Sequence, residues 1–447
     1  MKRILQIVVI LFLILGGLAL SLFAPVDREP YENMKFYAEM DDRLDSLKQH
    51  LPDISSENRL MTGWSKVSIT PSGSLPLAGY GKRNPKEFEQ VHDSVFVRTV
   101  VFQSGENKAA LISVDLLIFH PVVTAEIAKR LPSGWTFDEI NLSATHSHSS
   151  FGGWAPGILG EAISGSFNDT IPKFIAEKVT ESILKASRRM KVSSLGLSET
   201  DLGHLVHNRL VHDKGGKDPW LKSVLVDQGG GRGILNFFSA HATCLTSSYR
   251  NLSGDFPGSL NKQIDLDSLF DFSFYAAGAV GSMGPVTTGN GWDRVSILAN
   301  SLKKQVDVLT LLGIPKMGQY FIRSFKLALP LPEPQVKISQ DWAIRPYLFK
   351  AIAGDYKVYI SILQIGSIVF VGIPADFSGE LAIPLYKEAR ELGLNLIITS
   401  FNGGYIGYVI RDQWYDLNKY EARAMSWYGP HNGSYLSEVV SRILKAL

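Results

Sequence analysis

Cysteine is almost absent from this chain: of 447 residues, only Cys244 carries a thiol. An internal disulfide is therefore impossible, which excludes a disulfide-built fold, and a cysteine-rich zinc cluster is excluded too. Excess charge of either sign is also missing. Lys and Arg total 45 against 43 Asp and Glu, a formal net charge of +2, which offers no electrostatic footing for nucleic acid. No internal repeat or low-complexity tract interrupts the chain. The cluster Gly229-Gly230-Gly231-Arg232-Gly233 lacks the spacing and the lysine of a phosphate loop and reads as a turn. What remains is a chain of ordinary apolar content, long enough for two average domains or one large α/β domain.

The N-terminus does carry a long apolar run. Lys2 and Arg3 precede an uncharged segment from Ile4 to Val26, long enough at about 1.5 Å per residue to cross a bilayer core. It exceeds the roughly 7–15-residue apolar region of a signal peptide, and no cysteine near its end allows lipoprotein cleavage. The expectation is an uncleaved signal-anchor transmembrane helix over residues 1–28, with everything after it extracytoplasmic, on the periplasmic or extracellular face. Cleavage after Ala-Leu-Ser-Leu-Phe-Ala, before Pro25, stays open. Tyr37, Met40, Leu44, Leu47 and Leu51 then recur at spacings of three and four. That pattern predicts an amphipathic helix ended by Pro52, within a linker of residues 29–62.

Residues 63–447 alternate strand and helix. Phe96–Gln103, Lys108–Leu117 and Ile140–Thr145 read as strands, with a helix over Val122–Leu131 between the last two, a parallel crossover unit. A long helix follows over Asp169–Met190. Leu221–Asp227 and Ile234–Ala240 flank the glycine turn as a hairpin. Phe272–Val280, the hairpin Tyr356–Gln364 with Ser367–Ile373, and Leu394–Phe401 read as further strands. Helices are expected over Arg294–Leu312, Ser378–Leu392 and Tyr435–Leu447. One large mixed-sheet α/β domain is the simplest account.

The chemistry-bearing residues fall just past strand ends. His146 and His148 follow the strand ending near Thr145, and His241 follows the one ending at Ala240. Asp376 follows the strand ending near Ile373, while Tyr405 and Tyr408 follow the one ending at Phe401. Loops at strand ends place side chains without disturbing the core. Imidazole nitrogens with carboxylate and phenol oxygens make a donor set suited to zinc. For each residue a plainer role exists: a satisfied core histidine, a helix cap at Asp376, packing aromatics. Together those plainer roles account for the pattern poorly.

Several segments resemble neutral ceramidases of the neutral/alkaline non-lysosomal family. They are Gly79-Tyr80-Gly81, Val91-His92-Asp93, Ser113-Val114-Asp115-Leu116-Leu117, Ala-Thr-His-Ser-His-Ser from Ala144, Asn208-Arg209, and Ser253 to Gly258. Pro374-Ala375-Asp376-Phe377, Tyr408-Val409, Tyr415, Tyr420-Glu421 and Tyr428-Gly429-Pro430-His431 continue the likeness in order from about Val67 to the C-terminus. The resemblance implies the fold of that family's catalytic domain and a zinc-dependent amidase. Such an enzyme cleaves the N-acyl bond of ceramide or a related N-acyl lipid through metal-activated water. It implies Zn2+ held by His146, His241, Asp376 and Tyr408, with His148 moving the proton. Arg209 and Tyr420 would hydrogen-bond the amide oxygen. The implied partners are the lipid substrate and, through the N-terminal helix, the membrane; no protein partner is expected.

Three departures stand out. Asp376 occupies a position where the family has Glu, one methylene longer. Gly284 stands where the family has a serine implicated in activity, with Ser282 two residues away as a substitute. The family's C-terminal immunoglobulin-like domain is expected to be missing. Two other functions remain compatible with the sequence: a metal-dependent hydrolase of another acylated compound, and a membrane-tethered binding protein that lost the chemistry.

Overall fold

The computed structural model describes residues 2–54, 59–83, 86–312 and 320–447. Three larger sheets organise the domain. The first runs, in spatial order, through Ile140–Ala144, Asn107–Val114, Phe96–Ser104, Met61–Ser68 and Lys191–Val192. The second runs through Phe272–Ala277, Arg232–Phe238, Trp220–Asp227 and Ser194–Asp201. The third runs through Ile322–Ala328, Tyr359–Ile365, Ile368–Ile373 and Asn395–Ser400. Each is mostly antiparallel and holds one parallel pair.

The sheets meet face to face around a shared core, with helices on their outer faces. Strand alternation assigns side chains to the two layers. Along Phe96–Ser104, Val100 and Phe102 enter the central core, whereas Val97 and Val101 turn to the outer layer against Ile175, Val179 and Ile183 of the helix Thr170–Ser187. Phe237 of the second sheet lies 5.5 Å, ring to ring, from Phe370 of the third and 6.0 Å from Phe274. Truncating it to alanine would cost about 3–5 kcal/mol through lost burial and the cavity left behind. The helices Asp255–Asp265 and Trp292–Leu312 cover the second sheet, and Gly379–Glu391 and Asn432–Ala446 the third.

The crossover unit is present: Asn107–Val114 and Ile140–Ala144 pair in parallel, joined through the helix Pro121–Lys129. The glycine turn closes the antiparallel pair Trp220–Asp227 and Arg232–Phe238. The helix expected near Tyr37–Leu51 spans Lys35–His50. Its buried face, Met40, Leu44 and Leu47, joins the core beside Val439, Val440 and Ile443. Arg442 then pairs with Asp41 and Asp45.

The apolar N-terminus folds as the helix Lys2–Leu22. Among the described residues no helix is long and apolar enough to cross a membrane, so the expected transmembrane span is not supported. The side chains described there without a break run from Ile4 to Phe12, roughly 14 Å of helix and about half a bilayer core. The side chains at 13–15 and 18–19 lie outside the described residues. After this helix, Phe23–Pro25 pairs antiparallel with Trp342–Ile344, which ties the segment to the domain.

Candidate metal centre

Each sheet contributes one ligand-type side chain from just beyond the C-terminal end of a strand in its parallel pair. His146 follows Ile140–Ala144, His241 follows Arg232–Phe238, and Asp376 follows Ile368–Ile373. Parallel strands end together, so the loops leaving them converge on one point. Asp376 is also held by a short parallel pairing in which it lies opposite Tyr408. All four residues are buried.

His146 adopts φ +60°, a conformation that costs a non-glycine residue about 1–3 kcal/mol. Ser282 (φ +63°) and Phe401 (φ +66°) share it, and both border the site. The His146 ring stacks on Phe401 at 4.2 Å, and its Nδ1 lies 2.8 Å from the Leu117 carbonyl oxygen. His241 Nδ1 lies 3.0 Å from the Met283 carbonyl oxygen. A carbonyl accepts only from N–H, which places the proton on Nδ1 and the lone pair on Nε2 in both rings. Burial lowers both histidines to a pKa of about 3, so both are neutral at physiological pH.

The two Nε2 lone pairs face Asp376 Oδ1, at 3.4 Å from His146 and 3.1 Å from His241. Tyr405 donates to the other oxygen, Oδ2, at 2.7 Å, while the buried Oδ1 has no hydrogen-bond partner. With neutral imidazoles these contacts are not ion pairs. They bring acceptors together around Asp376 Oδ1, although His241 Nε2 also has Arg209 Nη2 and Tyr408 Oη within hydrogen-bond reach; a cation completes the arrangement. His148 Nε2 stands 3.2 Å from His146 Nε2, and Tyr408 Oη 3.0 Å from His241 Nε2. Zinc ligands at about 2.0–2.1 Å in a tetrahedron lie roughly 3.3 Å apart, so these separations fit such an ion. His146, His148 and His241 form a cluster able to hold a metal, their ligand atoms within 4.8 Å of one another. Five candidate ligand groups thus lie close together, where a tetrahedral ion takes four.

Beside this centre lies a cavity of about 540 Å³ whose lining includes Tyr80, His148, Arg209, Tyr408, Lys419 and Tyr420. His148 packs against Gly79, whose φ of +106° and missing side chain are both required. A Cβ there would lie 2.6 Å from His148 Nδ1. Burial holds His148 neutral, well below its ordinary pKa. Arg209 points one nitrogen, Nη2, at Tyr408 Oη (2.7 Å) and His241 Nε2 (2.9 Å). Tyr420 sits at the mouth, 64% exposed.

All seven residues named from the sequence therefore gather around one point. Asp376 reaches it with its short side chain, and the backbone of Gly281 packs directly against it. A Cβ on Gly281 would fall 2.2 Å from the Asp376 carbonyl oxygen. Gly284 has no room for a side chain against His207, whose ring lies 2.6 Å from where a Cβ would stand. Three further contributors play parts the sequence did not assign: Phe401 as the stacking wall, Tyr405, noted there as a strand-end phenol of the donor set, as the donor to Asp376, and Glu421. The first two follow the strand that ends at Ser400, the same strand-end signal that marked the ligands. Glu421 directly follows Tyr420 and stands within the Tyr420-Glu421 likeness, which assigned it no role.

Fold and cluster together define an α/β protein with a buried site able to hold a metal ion. Residues 61–213 match the family model described as neutral/alkaline non-lysosomal ceramidase, N-terminal. The chain is 27% identical over 203 residues to a neutral ceramidase of Mycobacterium tuberculosis, covering 41% of this chain and 32% of that one. It is 25% identical over 242 residues to a neutral ceramidase of Pseudomonas aeruginosa, covering 50% and 36%. These sequence matches span about a third of the length of those relatives. The crystal structure of neutral ceramidase from Pseudomonas aeruginosa superposes with a TM-score of 0.73 at 17% identity, over 87% of this chain and 74% of that one. A ceramidase complexed with C2 gives 0.74 at 16%, over 86% and 74%. Those two likenesses show the fold. The family match covers about a third of this chain and, with the two sequence relatives, supports kinship with the neutral/alkaline non-lysosomal ceramidases.

Proposed function

We propose that this protein is a zinc-dependent hydrolase of the N-acyl amide bond of ceramide or a related N-acyl lipid. The observation that carries the proposal is the unpartnered Asp376 Oδ1 facing two imidazole lone pairs beside an open cavity. His146, His241, Asp376 and Tyr408 would hold the ion, leaving His148 on the cavity wall. When bound, zinc supplies Lewis acidity and makes a water more acidic.

The chain's own groups do the rest. Arg209 Nη1 makes no hydrogen bond with the described residues, and Tyr420 is open to the cavity, so both can donate to the amide oxygen as charge grows on it. Such donors typically contribute about 10²–10³-fold in rate. His148 starts neutral and so has a lone pair for the proton of the attacking water, and the burial that weakens it as a base favours passing that proton on to the leaving amine. Location outside the cytoplasm is a further proposal, supported by Lys2 and Arg3 ahead of an exposed apolar helix. An alkaline phosphatase fused after the domain would be active if it holds and silent if it does not.

The functional test is release of fatty acid from a short-chain fluorescent ceramide by zinc-loaded protein, with N-acyl amino acids as the comparison. Ceramide turnover that disappears in His241→Ala together with the zinc supports the proposal. Turnover of N-acyl amino acids alone would move the substrate class, and no turnover of either would overturn hydrolysis. His148→Ala separates ligand from proton carrier: it is expected to keep zinc and lose rate.

A further inference from the structure

Arg209, Ser282 and Glu421 close a ring of three hydrogen bonds at the cavity wall. The Arg209 backbone N–H donates to the Ser282 carbonyl oxygen at 2.8 Å. Arg209 Nε donates to Glu421 Oε1 at 2.6 Å, and Ser282 Oγ donates to Glu421 Oε2 at 2.7 Å. The Glu421 side chain is only 7% exposed, and both its oxygens are engaged. A buried carboxylate so held balances the guanidinium charge and fixes its plane through a charge-assisted bond. With Nε tied down, Nη2 is directed at Tyr408 and His241 and Nη1 is left for another acceptor.

The ring also reaches the mouth of the site. Glu421 directly follows Tyr420 in a single π-helical turn, Tyr420–Ala424, so anchoring one fixes where the other emerges. Ser282 occupies a left-handed conformation, and the next residue, Met283, presents the carbonyl that orients His241. The hydroxyl of Ser282 is thereby committed to Glu421 and is not a free nucleophile.

We infer that Glu421 is a positioning residue, aiming Arg209 and Tyr420 at the amide oxygen of the substrate. The inference rests on the amide-hydrolase function proposed above. Removing a positioning group costs rate in the transition state more than it costs binding. In the zinc-loaded full chain acting on short-chain ceramide, Glu421→Ala should lower kcat about 10²-fold, the range typical of a lost oxyanion donor, with KM within about twofold. Glu421→Gln should lose only about tenfold, because its amide oxygen still accepts from Arg209 Nε while its NH2 can donate to Ser282 Oγ. Zinc content should not change in either.

A second readout does not depend on turnover. The Arg209 Nε–H resonance in arginine-labelled protein, assigned by its loss in Arg209→Lys, should be protected from solvent exchange. It should shift and lose that protection in Glu421→Ala, with a smaller shift in Glu421→Gln. An unmoved resonance in Glu421→Ala, or an unchanged kcat, would overturn the inference. So would a kcat loss in Glu421→Gln matched by equal loss of zinc. If the wild-type chain turns over no amide, the substrate proposal fails on its own and the resonance still decides the role of Glu421.

Discussion

At the buried centre beside the cavity, the floor of the site, Asp376 presents one oxygen to Tyr405 and leaves the other facing imidazole lone pairs without a donor. On the rim, Glu421 has both oxygens engaged, one by a guanidinium and one by a hydroxyl. Both carboxylates are buried, yet they are built for different ends. An unsatisfied buried acceptor costs about 1–3 kcal/mol and persists where something outside the chain completes it. A satisfied one holds its neighbours still. Under the proposed function the floor would receive a metal ion, whereas the rim orients groups the chain itself supplies.

The sharpest way to break that contrast is Asp376→Asn. Its amide oxygen could still accept from Tyr405, and its NH2 could donate to the imidazole lone pairs, satisfying groups now opposed. We expect activity and zinc binding to be lost while the metal-free protein gains about 1–3 kcal/mol of stability, read from urea unfolding. Loss of stability in the metal-free variant would show that the floor is not strained as described. Tyr420→Phe probes the rim: kcat should fall by about 10²-fold with zinc retained, and a KM effect alone would assign Tyr420 to binding.

Smaller effects test the supports. Gly284→Ser should destabilise the fold by about 1–3 kcal/mol, towards the lower end because the half-exposed His207 ring can give way. It should not raise turnover, and a gain would show the family serine position to be usable here. Lys326 donates to the carbonyls of Phe137 and Ile140 at the start of the strand that delivers His146. Burial pushes its ammonium from 10.5 down to about 7. Between those two values the unfolded chain binds a proton that the folded chain does not, so stability rises with pH across that window. Lys326→Met should flatten the rise, measured as unfolding free energy against pH; an unchanged slope would assign it to other groups.

The same contrast governs what the sequence made legible. The floor could be read because buried strands leave strong patterns. Ile140–Ala144, Arg232–Phe238 and Ile368–Ile373 are almost wholly buried runs, and a polar residue just past such a run points to a site. The rim could not be read in this way. Glu421 sits in a π turn with no periodic signature, and its partners lie 212 and 139 residues away in sequence. The closeness of Gly281 to Asp376 is a backbone contact that side-chain patterns do not encode. The meeting of three sheets around Phe237 and Phe370 was likewise beyond local pattern, although the strands themselves, apart from Met61–Ser68, Lys191–Val192, Ser194–Asp201 and Ile322–Ala328, were evident.

The most direct measurement is the metal content of the purified chain after dialysis against metal-free buffer, compared with His146→Ala. The arrangement of His146, His241 and Asp376 predicts one tightly held zinc per wild-type chain and a near-complete loss in the variant, with the fold retained by circular dichroism. A wild-type chain that takes up no zinc, or a variant that holds it equally well, would contradict the metal centre.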